Sequence, residues 1–144
     1  MYQISEYVGG EWTECPRSEG YAVIQKWRTQ FSSPVKESTG KWTIDSVDWH
    51  TFSHGYHPFE TSTHAEFGLS NHSNDSTFVW STGNGFDEKV FLVSPPMKRR
   101  WVDLLDFLDA HTNYFDLYIV GIEYDWTCVL THEEDFEIIY AESS

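Results

Sequence analysis

A chain of 144 residues is long enough to bury one core and too short for two comfortable ones. A hydrophobic content of 40%, with 17% aromatic residues, excludes a disordered chain. The 23 acidic against 9 basic residues leave a formal net charge of -14, which argues against direct nucleic-acid binding, since phosphate contacts need Lys and Arg, and points to a basic partner.

Residues 1–17 read as irregular, punctuated by Gly9-Gly10 and Pro16. The start, Met1-Tyr2-Gln3-Ile4-Ser5-Glu6, has neither the basic cluster nor the apolar run of a secretory leader. No apolar run approaches membrane-spanning length, so the expected location is the cytoplasm, with no membrane partner. Ser18 is placed to cap a helix over 19–31, in which Tyr21, Ile24, Trp27 and Phe31 share one face. Ser32-Ser33-Pro34 ends it, and 36–40 reads as a polar linker.

Alternation predicts a strand over 42–46 and another over 63–69, the latter with Ala65, Phe67 and Leu69 pointing one way. Between them, 49–59 is aromatic but aperiodic, a packed loop. Residues 71–75 form a turn, and 77–81 and 89–93 read as a hairpin around Gly83-Asn84-Gly85. Ser94-Pro95-Pro96 stops the second strand. Trp101, Leu104, Leu105 and Leu108 then make the apolar stripe of a helix, with Asp103, Asp106 and Asp109 on its other face. Lys98-Arg99-Arg100 stands at the positive end of that helix, which the dipole disfavours by a few tenths of a kcal/mol per charge, roughly. Burial of the stripe, at roughly 1.5–3 kcal/mol per buried side chain, outweighs this.

The last stretch is the easiest to read. Residues 117–122, 126–131 and 136–140 are short runs of β-branched and aromatic residues separated by the acidic junctions Glu123-Tyr124-Asp125 and Glu133-Glu134-Asp135. They predict a three-stranded antiparallel meander against which the rest packs. The expected fold is α+β: one domain over 1–144, mainly an antiparallel sheet of six or seven strands with two helices packed on one face.

Few groupings suggest chemistry. Cys15 and Cys128 lie too far apart for a metal motif, and nothing asks for a disulfide. His50, His54 and His57, flanked by Asp48 and Glu60, invite a metal reading, and His50 and His54 have the i, i+4 spacing of a zinc helix. Gly55 and Pro58 break a helix there, however, and the HExxH pattern is absent. His132 beside Glu133-Glu134-Asp135 could act as a general base or ligand, but reads better as part of an acidic surface turn. No nucleophile elbow or phosphate loop occurs. No catalysis, metal or cofactor is expected.

What an ordinary solvated surface does not explain is the charge distribution. Residues 101–144 contain 11 acidic side chains and no Lys or Arg, whereas ordinary surfaces mix signs. One sign over a whole face steers an oppositely charged macromolecule.

The order Phe115-Asp116-Leu117-Tyr118, acidic turn, Asp125-Trp126, then His132-Glu133-Glu134-Asp135 resembles small bacterial immunity proteins. Those proteins accompany polymorphic toxins and contact-dependent inhibition systems. The resemblance covers the last third of the chain and the 89–93 strand. It implies a non-catalytic protein that binds a basic toxin domain, often a nuclease, and blocks it. Candidate contact residues are Glu123, Asp125, Glu133, Glu134 and Asp135 at the turns and Asp106 and Asp109 on the helix, with Trp126 as an aromatic anchor. Two rival readings share some of these features. One is a phage-encoded mimic of nucleic acid that blocks a defence protein; the other is a metal hydrolase using His50, His54, His57 or His132.

Overall fold

The computed structural model describes residues 2–82, 89–111 and 115–143, without the side chains of residues 2 and 109–111. Its frame is the C-terminal meander. Strands β5 (Asp116–Gly121), β6 (Trp126–Leu130) and β7 (Ile138–Glu142) pair antiparallel in the order read from sequence, with Ile119 opposite Cys128 and Cys128 opposite Tyr140. The hairpin strands β3 (Thr77–Thr82) and β4 (Phe91–Met97) also form, β3 lying along β5. The turn Gly83-Asn84-Gly85 lies outside the described residues. With β1 (Gly9–Glu14) and the two-residue β2 (Glu60–Thr61) at the edges, all seven strands pair antiparallel in the order β1-β4-β3-β5-β6-β7-β2. The fold is α+β, as expected.

Helices cover both faces of this sheet rather than one. Every residue of β5 and of β6 is buried, and a strand buried on both sides needs a layer on each. On one face Leu117, Ile119, Cys128, Leu130 and Ile138 pack with α1 (Tyr2–Val8), α5 (Ser62–Ser70) and α6 (Leu104–His111). On the other, Tyr118, Val120, Val129 and Ile139 pack with Trp27 and Phe31 of α2 (Arg17–Phe31) and with Trp49 and Phe52. The two helices predicted from periodicity thus fall on opposite sides. Six α-helices occur among the described residues.

Several local expectations give way to tertiary forces. Residues 1–17 are α1 followed by β1 instead of irregular chain. In α2, Pro16 takes the position before the helix and Ser18 does not cap it; Tyr21 is 67% exposed, and Val23 takes the buried position. The 36–40 linker belongs to a short helix, α3 (Ser33–Thr39), closed by Gly40 in the left-handed conformation. Residues 63–69 are helical: Ala65, Gly68 and Leu69 are buried at helical spacing while Phe67 is 73% exposed. The 49–59 region is packed as expected, around one helical turn, α4 (His50–Ser53).

The 42–46 strand is replaced by a tight turn. The Val47 N–H donates to the Ile44 carbonyl at 3.0 Å, and Asp45 and Ser46 between them have φ of 53° and 63°. Positive φ at both central residues is the signature of a type I′ turn. Nor does Pro95-Pro96 stop β4, which runs on to Met97 opposite Gly9; proline is tolerated where its missing N–H is not needed by the ladder. Finally, the basic cluster before α6 is partly neutralised. Asp103 accepts from the Arg100 backbone N–H at 3.0 Å and its guanidinium at 3.1 Å. Partial burial works to raise the Asp103 pKa, but these bonds and the Arg100 charge outweigh it and hold the carboxyl below its ordinary value.

Candidate partner-binding surface

The acidic side chains predicted to meet a partner divide between the two ends of β6. Glu123 and Asp125 are exposed at the β5–β6 turn, and Glu133, Glu134 and Asp135 are exposed at the β6–β7 connection. Five residues of strand at about 3.3 Å each separate them by roughly 17 Å. The structure does not gather them into one patch.

At the first end the turn is tied down. Tyr124, buried and left-handed at φ 60°, donates its N–H to the Gly121 carbonyl at 2.8 Å, and the Lys26 ammonium stands 4.9 Å from its ring. A cation therefore stands over the ring of the residue between the two acids. Trp126, expected as an anchor, is only 2% exposed: it stacks on His72 at 4.1 Å and 10° and lies near Tyr140. It belongs to the core, where strand alternation directs it inward with Cys128 and Leu130.

The second end is built differently. The Thr131 hydroxyl donates to the Phe136 carbonyl at 2.6 Å and accepts from the Glu133 N–H at 3.1 Å, while the Thr131 N–H reaches the Glu137 carbonyl. These bonds close the 131–137 connection around a 3-10 turn, Glu134–Phe136, and hold its carboxylates outward. Beside it, β2 delivers the chain into the first turn of α5. A shallow groove results, lined by Glu66, Glu134, Asp135 and Glu137 together with Ser62, Thr63 and Leu105 of α6. No Lys or Arg lines it. Asp106, the next residue along α6, is exposed; the side chain of Asp109 lies outside the described residues.

His132 is oriented inward from this end. Its Nδ1 and its backbone N–H both meet Oδ1 of the buried Asp116, at 2.8 and 3.1 Å, and Asp116 Oδ2 accepts from the Trp49 indole at 3.0 Å. The carboxylate thereby ties β5 to the β6–β7 connection and to the 49–59 region. Among the described residues no hydroxyl or thiol bonds the remaining His132 nitrogen, whose neighbour is Glu133 at 4.0 Å.

The other histidines separate as well. His57 is buried against Phe31 and Phe52 with Nδ1 on the Pro58 carbonyl, and Asp48 is occupied by Arg28 through a two-pronged ion pair at 2.7 and 3.1 Å. His50 and His54 remain together, and the acid that joins them is Asp45, which sequence spacing did not single out. No family model, curated protein or solved structure matches the chain. Among the described residues no helix is long and apolar enough to cross a membrane.

Proposed function

We propose that this protein is a non-catalytic inhibitor of the immunity type, which binds a basic toxin domain through the end of the sheet formed by the β6–β7 connection, the first turn of α5 and α6. The observation that carries the reading is the groove lined by Glu66, Glu134, Asp135 and Glu137 without a single Lys or Arg. Carboxylates carried on a hydrogen-bonded connection meet a cationic partner without first ordering the backbone beneath them, and they steer its approach. Glu123 and Asp125, roughly 17 Å away along β6 and on either side of the Tyr124 that carries Lys26 on its ring, contribute to long-range attraction and not to the same contact.

The test is expression of the protein encoded by the adjacent reading frame, alone and together with this chain. Growth arrest by the neighbour, its relief on co-expression and recovery of a one-to-one complex are the expected results. A harmless neighbour, or toxicity unrelieved by a chain that accumulates in folded form, would sink the proposal. Capture of several unrelated DNA-binding proteins would instead mark a nucleic-acid mimic.

A further inference from the structure

The turn over 44–47 and the single helical turn α4 bring together three groups that have no other common purpose. Asp45 occupies the first central position of the turn, and His50 opens α4. His54 directly follows α4, and its N–H still reaches back to the His50 carbonyl at 3.0 Å. That i, i+4 bond keeps the two imidazoles on one face, with ring centres 5.3 Å apart, although Gly55 then ends the helix. One ligand atom from each of Asp45, His50 and His54 lies within 4.8 Å of the other two.

The decisive contact is made by His50. Its Nδ1 stands 3.1 Å from the Ile44 carbonyl, which can only accept, so Nδ1 carries a proton and the neutral ring presents its lone pair at Nε2. A histidine whose second nitrogen is held by a backbone carbonyl is the usual arrangement of a metal-bound imidazole. The same Ile44 carbonyl accepts from Val47 in the turn that aims Asp45, so a single oxygen sets both the acid and the base. Tetrahedral zinc at about 2.0–2.1 Å from each ligand needs ligand atoms about 3.4 Å apart. Rotation of Asp45 and His54, both exposed, supplies that contraction.

We propose that Asp45, His50 and His54 bind a divalent transition-metal ion of the zinc class. Two imidazoles and one carboxylate suit zinc and its neighbours and not magnesium or calcium, which take oxygen ligands. Three protein ligands leave a fourth position for water or a side chain of another molecule. The ion clips the left-handed 44–47 turn to α4. This inference stands independently of the partner reading, because the site uses none of the acidic residues of the β6–β7 end.

The test uses the full chain, stripped with a chelator and titrated with Zn2+ by calorimetry, with thermal melting as a second readout. One ion per chain at micromolar or lower free Zn2+, with a raised melting temperature and no response to Mg2+, is expected. His54→Gln and Asp45→Asn, both at exposed positions and the latter retaining a residue that tolerates the left-handed turn, should each weaken binding by roughly 10–100-fold or more. His64→Gln and His132→Gln should leave it unchanged. Failure of the folded wild type to bind Zn2+, or equal binding by the folded His54→Gln/Asp45→Asn double variant, would overturn the assignment.

Discussion

Gly68 stands inside α5, where alanine ordinarily improves a helix by roughly 0.5–1 kcal/mol. Here an added Cβ would lie 2.5 Å from Tyr140 Cδ2 and 2.6 Å from Cε2. The ring has little room to yield, because its hydroxyl donates to Glu142 and meets His72 Nε2 at 2.9 Å. Gly68→Ala should therefore lower stability by about 1–3 kcal/mol, the range for overpacking, read from urea unfolding. A gain in stability would show that α5 does not depend on this close approach. Cys128 offers a second residue-scale test. Burial pushes its thiol well above the ordinary value near 9, so the native state holds a proton that the unfolded chain releases. Stability due to this group is present below about pH 9 and falls by about 1.4 kcal/mol per pH unit above it. Between about pH 9 and 10, before the tyrosines join, the urea midpoint of Cys128→Ala should decline less steeply than that of the wild type, whatever its value at pH 7. Parallel slopes would mean that the thiol titrates normally.

At the scale of elements, the binding role proposed for the β6–β7 connection is separable from folding. Glu133, Glu134 and Asp135 project from a turn closed by Thr131, so replacing all three with Lys leaves the closing bonds intact. The melting temperature should stay close to wild type, since exposed charge pairs are worth only about 0–1 kcal/mol. Affinity for a basic partner should drop by roughly 2–5 kcal/mol, tens to thousands of fold. Unchanged affinity in the folded triple variant would remove this end from the interface. Asp116 behaves oppositely. Its buried carboxylate accepts from Trp49 and twice from His132, joining β5 to two connections. Asp116→Ala should cost about 1.5–3 kcal/mol of stability, the worth of hydrogen bonds to a charged group. Asp116→Asn should recover little of it, because an amide NH2 then faces a donor. A thermal melt of each variant decides the matter, and an unaffected Asp116→Ala protein would show that the ties are dispensable.

Over the whole molecule, a net charge of -14 opposes compaction. Salt screens such repulsion over about 8–10 Å near physiological ionic strength. The melting temperature should therefore rise between low and physiological NaCl concentration, and a flat response would show that the carboxylates are already compensated within the fold. The same screening acts on encounter with a cationic partner. Its association rate should fall steeply across that salt range while dissociation changes little, as stopped-flow mixing can measure.

The meander was legible in the sequence because its determinants are local: apolar runs the length of a strand, separated by the acidic junctions 123–125 and 133–135. Helix α6 was legible for the same reason, the stripe of Trp101, Leu104, Leu105 and Leu108 repeating at helical spacing, although residues 101–103 enter it as a 3-10 turn. Even the two-sided cover has a trace in sequence, since Leu117, Ile119 and Val120 flank Tyr118 with no polar alternation. Residues 63–69 could not be decided locally, because Ala65 and Leu69 fit a strand face and a helical face alike. What settles them is Tyr140, more than 70 residues away, whose ring lies against Gly68. The acidic excess could be counted from sequence, but its division between two ends of β6 depends on strand pairing, and Lys26 reaches one end only through α2. Asp45 could not be joined to His50 and His54 by spacing, because the chain between them reverses at two left-handed residues. Composition and periodicity determined the strands of the meander and the sign of the net charge; which side chains meet was decided by tertiary contacts, because burial and register act on residues the chain holds far apart.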